Sequence, residues 1–147
     1  MFDLILVPLD GSKRAEAILP HVQALAGCLG SELVLLQVVE PVLLPYDPQG
    51  YLPELDSKNT EERLSEARSY LEGIAKHFRA EGMNVRCRIE SGAVVDTILE
   101  LALTLKADLV AMASHGRTGL ARAFYGSVAD GVLHKTSLPL LVVRSIE

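Results

Sequence analysis

The chain has 147 residues, 49% of them hydrophobic and 22% charged, and a net charge of −5; these proportions exclude the disordered and collagen-like classes, and the acidic balance argues against a nucleic-acid partner, which needs a basic stripe to displace counterions. No apolar run reaches the roughly 18–20 residues that span a bilayer. The start, MFDLILVPLDGS, carries Asp3 and no basic stretch before its apolar run, so it reads as a strand and not as a signal peptide, and the expectation is one cytoplasmic domain over residues 1–147 with no membrane partner.

Leu4 to Val7 (LILV) is a short apolar run closed by Pro8 and the turn-forming pair Asp10-Gly11, as a buried strand should be. Ser12 can cap a helix, and Ala15, Ile18, Leu19, Val22, Leu25, Ala26 and Leu29 recur at helical spacing, with Gly27 and Gly30 marking its end. Pro20 conflicts with that pattern and should kink the helix or shift its boundary. Leu33 to Val39 (LVLLQVV) is apolar on both sides, which suits an interior parallel strand. Glu40 to Pro53 contains Pro41, Pro45, Pro48, Pro53 and Gly50, and predicts a long, mobile excursion without regular structure.

From about Asn59 to Glu81, the residues Leu64, Ala67, Leu71, Ile74, Ala75 and Phe78 mark one face of a helix ended by Gly82, while Glu61, Glu62, Arg63 and Glu66 read as its solvated face. Val85, Cys87 and Ile89 alternate with Arg86 and Arg88, the pattern of an edge strand with one face in water. Cys28 and Cys87 lack metal-type spacing, and both are expected as buried apolar fillers. His21, His77 and His134 fall on helices at spacings that define no metal site.

The remainder predicts a helix over about 95–105, a strand over Leu109 to Ala113, a glycine loop, a helix over about 127–136 and a strand over Leu140 to Val143. Strands alternating with helices imply an α/β fold, an open, mainly parallel sheet with helices on both faces. Ligands of such sheets bind beyond the carboxyl ends of the strands, where the strand order reverses. The loop region, ASHGRTGLARAFYGSV over 113–128, sets glycines between an apolar run and a helix start. Positive φ, close backbone approach and unpaired helix N–H groups all favour a phosphate there. Neither GxxxxGK[ST] nor GxGxxG after a strand is present.

Gly116, nine residues, then Gly126-Ser127, taken with LILVPLDGS, ADLVAMASHGRTG and SLPLLVVR, resembles the universal stress protein family over nearly the whole chain. The nucleotide-binding members of that family carry Gly-x2-Gly-x9-Gly-Ser/Thr after the fourth strand; here Ala113 stands at the first glycine position. The resemblance implies a dimer of Rossmann-like, doubly wound subunits, each a five-stranded parallel sheet of order 3-2-1-4-5. It also implies ATP, or ADP or AMP, with Mg2+, in the subclass that keeps the loop.

Carried over by position, Gly116, Gly126 and Val128 would offer amides to the phosphates, Ser127 its hydroxyl, and Asp10 a carboxylate to ribose hydroxyls or to a metal ion. Pro8, Leu9 and Val38 would line the adenine slot, with Met112 and Ala113 also among the binding residues. Arg117 and Arg122, by their chemistry, could neutralise phosphate charge.

Each position has a simpler reading. Asp10-Gly11 is a common turn with the carboxylate bonded to nearby amides; Gly126 can serve helix packing, Ser127 can be an N-cap, and His115 can be a loop hydrogen-bonder instead of an acid–base group. The Ala113 methyl is either harmless or narrows the slot. The expected function is an adenine-nucleotide-binding regulatory protein with little or no turnover, acting on an unidentified protein partner. Its alternatives are an interaction module with a structural glycine loop, and an enzyme that phosphorylates itself at Ser127 or a nearby hydroxyl. The apolar strand Leu140 to Val143 would need cover, which pairing with a second copy supplies.

Overall fold

The structure, a computed structural model, describes residues 1–41, 53–115 and 127–145. Five strands, β1 (Leu4–Leu9), β2 (Glu32–Val39), β3 (Val85–Ser91), β4 (Leu109–His115) and β5 (Leu140–Ser145), form one parallel sheet of order β3-β2-β1-β4-β5. Helices α1 (Leu19–Leu29), α2 (Pro53–Ala80), α3 (Val94–Thr104) and α4 (Ser127–Lys135) alternate with them.

Strand side chains alternate between two cores, because successive Cβ atoms point to opposite faces. Ile5, Val7, Leu33, Leu35, Leu109 and Ala111 pack under α1 and α2 with Val22, Ala26, Leu71, Ala75 and Phe78. Leu6, Val34, Leu36, Val110 and Met112 pack on the other face with Ile98, Leu101 and Ala102 of α3 and Ala129 and Val132 of α4. Double-sided burial explains why β1 and β2 are unbroken apolar runs.

Several boundaries differ from expectation. Pro20 does not kink a helix: the segment begins as a 3-10 turn over Ala15–Ile18, and Pro20 sits in the first turn of α1, where its missing N–H has no intrahelical partner to lose. Gly27 lies inside α1, and Gly30, at φ +70°, closes it in the left-handed conformation. Helix α2 starts at Pro53, six residues before Asn59, with proline at the first helical position. Of the expected excursion over Glu40 to Pro53, residues 42–52 lie outside the described residues. Strand β4 runs two residues past its expected end at Ala113, through Ser114 and His115, which take the register of Arg144 and Ser145 on β5.

The thiols also correct the expectation. Cys28 is exposed on α1, whose apolar stripe faces the sheet and leaves this position in water, and Cys87 is half-buried against the α1/α2 core. Burial, helped by the Glu72 carboxylate, pushes the Cys87 thiol from 9.0 up to about 11. Cys28 should therefore react with an aromatic disulfide reagent at neutral pH well before Cys87 does. The native state retains the Cys87 proton that the unfolded chain releases, so its contribution is complete below pH 9.0 and is lost as the pH rises to about 11. Denaturant midpoints measured across that window should fall, and Cys87→Ala should fall less steeply.

Candidate functional site

The strand order reverses between β1 and β4, and β1 pairs with β2 along its length but with β4 only at Ile5–Leu109 and Leu6–Val110. Pro8 has no N–H to donate, and the β1–β4 ladder stops before it. The carboxyl ends of the two strands are thus not held together, which is the physical origin of a crevice at a topological switch point.

A cavity of about 220 Å³ occupies that crevice on the α3/α4 side. Pro8, Leu9 and Asp10 come from β1 and its end, Leu36 and Val38 from β2, Met112 and Ala113 from β4, Val94 and Ile98 from α3, and Val128 from α4. Its wall is mainly apolar, with the carboxylates of Asp10 and Glu40 at the crest, and main-chain groups at the strand ends can supply polar contacts. Of the residues singled out from the sequence, the structure brings together Pro8, Leu9, Asp10, Val38, Met112, Ala113 and Val128. Ser127 opens α4, exposed, one residue from Val128. Gly116, Arg117, Arg122 and Gly126 lie outside the described residues.

Asp10 takes the turn conformation: its Oδ1 accepts from the Ser12 amide at 2.9 Å and from the Ser12 hydroxyl at 2.5 Å, and Ser12 Oγ accepts from the Ala15 amide at 3.2 Å. Gly11 makes the turn at φ +85°. Oδ1 is therefore engaged by the chain, while Oδ2 has no hydrogen bond to the described residues. No group of three His, Cys, Asp or Glu side chains is placed to hold a metal ion among the described residues. The donor set at Asp10 fits at most one protein ligand to a hard cation, as when Mg2+ is carried largely by phosphates and water.

The expected solvated face of α2 needs correction at Arg63. Glu61, Glu62 and Glu66 are exposed, but Arg63 is half-buried and lines a second cavity of about 460 Å³ with Asp10, Gln37, Val39, Glu40 and Tyr70 among its walls. The cause is legible in hindsight: Arg63 stands four residues before Ala67 and eight before Leu71, on the stripe that faces the sheet. His77 and His134 pair with Glu81 and Asp130 one turn away, and His21 is exposed. Arg86 pairs with Glu32 at 2.5 Å and Arg88 with Glu90 at 2.6 Å on β3, the edge strand.

A five-stranded parallel sheet of this order, with helices on both faces, makes the chain a small doubly wound α/β protein. The model of the universal stress protein family matches residues 1–144, and the chain belongs to that family. It is 31% identical over 159 aligned positions to Universal stress protein MJ0577 of Methanocaldococcus jannaschii, covering 98% of this chain and 96% of that one. The solved structure of MJ0577 superposes with a TM-score of 0.82 at 30% identity, over 98% of this chain and 96% of that one. Two further structures share the fold: a universal stress protein in complex with cAMP (TM-score 0.70, 22% identity, 98% of each chain) and a family protein from Arabidopsis thaliana with AMP bound (TM-score 0.67, 12% identity, 96% of this chain and 90% of that one).

Proposed function

We propose that this chain binds an adenine nucleotide, ATP or its ADP or AMP relatives, in the switch-point slot, and acts as a cytoplasmic regulatory protein with little or no turnover. The observation that carries the reading is the cavity itself, which gathers Pro8, Leu9, Asp10, Val38, Met112, Ala113 and Val128 from four separate elements and the end of β1. The cAMP and AMP complexes of family members support it. The base enters between Val38 and Met112, Asp10 Oδ2 accepts from ribose hydroxyls, and the phosphates run toward Ser127 and the α4 N-terminus, with Gly116, Gly126, Arg117 and Arg122 as further ligands. Mg2+ rides on the phosphates, with Asp10 its one protein carboxylate.

The same reading makes the protein a homodimer through β5, whose Val142 is 40% exposed on an otherwise unpaired edge. Gel filtration should show twice the 15.9 kDa chain mass. Titration calorimetry with ATP and magnesium is the direct test. Binding should also raise the melting temperature, since ligand at about a hundred times Kd adds roughly 2.7 kcal/mol. No heat and no stabilisation at about 1 mM ATP would leave a protein-interaction module as the function of the fold.

A further inference from the structure

Glycine inside a helix loosens it relative to alanine, because it adds backbone freedom to the unfolded chain and brings no side chain to pack. Three helices nevertheless hold one outside the left-handed region: Gly27 in α1, Gly73 in α2 and Gly131 in α4. A Cβ added at Gly73 would meet open space, and one at Gly27 only the flexible end of Met83 at 3.8 Å. At Gly131 it would stand 2.8 Å from Cγ2 of Val95 on α3, with Cγ1 at 3.4 Å and Cβ at 3.6 Å. Backbone conformation does not call for glycine at 131. The close approach of a second helix does.

Val95 is a poor candidate to yield. Valine branches at Cβ and keeps one strongly preferred rotamer in a helix. Making room for a methyl at 131 therefore moves helix against helix, where at Gly27 it would only swing the end of a methionine.

The contact lies directly behind the switch-point slot. Val94, the residue before Val95, lines that slot, and so does Val128, three residues before Gly131 on the same face of α4. Farther along the seam, Lys135 Nζ stands 3.7 Å from Oδ1 of Asp96, so Val128, Gly131 and Lys135 mark the face that α4 turns to α3. Ser127, the first residue of α4, is four residues before Gly131.

We propose that Gly131 and Val95 set the position of the first turn of α4 against the slot, so that residue 131, which touches no ligand, governs how tightly an adenine nucleotide is held. The inference rests on the reading of the slot as a nucleotide site. Gly131 is a positioning residue: a side chain there wedges α4 away from α3, carries Val128 out of the slot wall, and withdraws Ser127 and the free amides of the first turn from the phosphates.

The test is titration calorimetry of the full chain with ATP and magnesium. Gly131→Ala should bind about tenfold more weakly than the parent. Val95→Ala gives the added methyl room, so the double variant Val95→Ala/Gly131→Ala should return to within about threefold of the parent, and Val95→Ala alone should stay within the same limit. Gly73→Ala, a helical glycine that faces open space, is the control and should bind as the parent does. A role confined to stability would not produce affinity lost and then regained among proteins that are all folded by circular dichroism. If Gly131→Ala alone does not fold, recovery of both fold and ATP binding in the double variant decides in favour. A parent that binds no ATP removes the reading of the slot itself. A parent that binds, with Gly131→Ala binding equally or the double variant failing to recover, overturns the positioning role and leaves that reading standing.

Discussion

Phenylalanine in place of Val38 should abolish adenine-nucleotide binding while the protein still folds. Val38 sits near the carboxyl end of β2, half-buried, with its side chain on the α3/α4 side among the walls of a slot of only about 220 Å³. Phenylalanine brings a ring into the space of the base, and the residue lies near the strand end, where neighbours can yield to the larger side chain. The expected result is an affinity loss of about a hundredfold or more, roughly 2.7 kcal/mol, with a melting temperature close to that of the parent in the absence of ligand. The Ala113 methyl packs on the other face of the sheet, with Val143 on the α1/α2 side, so Ala113→Gly should leave binding unchanged. If Val38→Phe binds ATP as the parent does, the base does not use this slot.

Truncating Ile98 to alanine should cost about 2–5 kcal/mol of folding stability. Ile98 is 0% exposed in the middle of α3, packed in the core that holds Leu36 and Met112, and it also forms the floor of the slot. Removal of its two methyls and its methylene leaves a void that rigid strands β1, β2 and β4 cannot close. A chain of this size loses about 2–4 °C per kcal/mol, so the thermal midpoint should drop by several degrees. Leu103→Ala is the control: on the same helix but 67% exposed, it should change stability by less than about 0.5 kcal/mol. Equal effects at the two positions would mean that α3 does not pack on the sheet through Ile98.

Much of the architecture is carried by local pattern. LILV and LVLLQVV are apolar on both sides because α1/α2 and α3/α4 cover the two faces, and the Asp10-Gly11 turn at the end of β1 needs only short-range chemistry. Where the reading failed, a distant partner decided the outcome. Ser114 and His115 look like loop beside Gly116, yet β5 supplies a ladder that carries them as strand. Pro53 looks like the end of an excursion, yet it is as compatible with the first position of a helix as with a loop. Cys28 fell on the outer side of α1, which composition alone cannot reveal.

Arg63 is the most instructive miss in the site. Its charge argued for water, while its spacing from Ala67 and Leu71 placed it toward the sheet, and a cavity large enough to receive a guanidinium exists only after β2 and α2 pack. The switch-point slot was easier to read, since Pro8, Leu9 and Asp10 follow one another in sequence and Met112 and Ala113 do the same on the adjacent strand.

The two borders of the sheet are chemically unlike. On β3 the ion pairs Arg86–Glu32 and Arg88–Glu90, with the Arg79 guanidinium donating to the Val85 carbonyl at 2.7 Å, place charge where a further strand would have to dock. On β5, Leu140, Leu141, Val142 and Val143 leave an apolar margin. Association through β5, as proposed above, would use up the apolar border of each copy and leave a charged one on both outer sides. Growth would then terminate at two copies, so that the protein could accumulate to high concentration without seeding fibres.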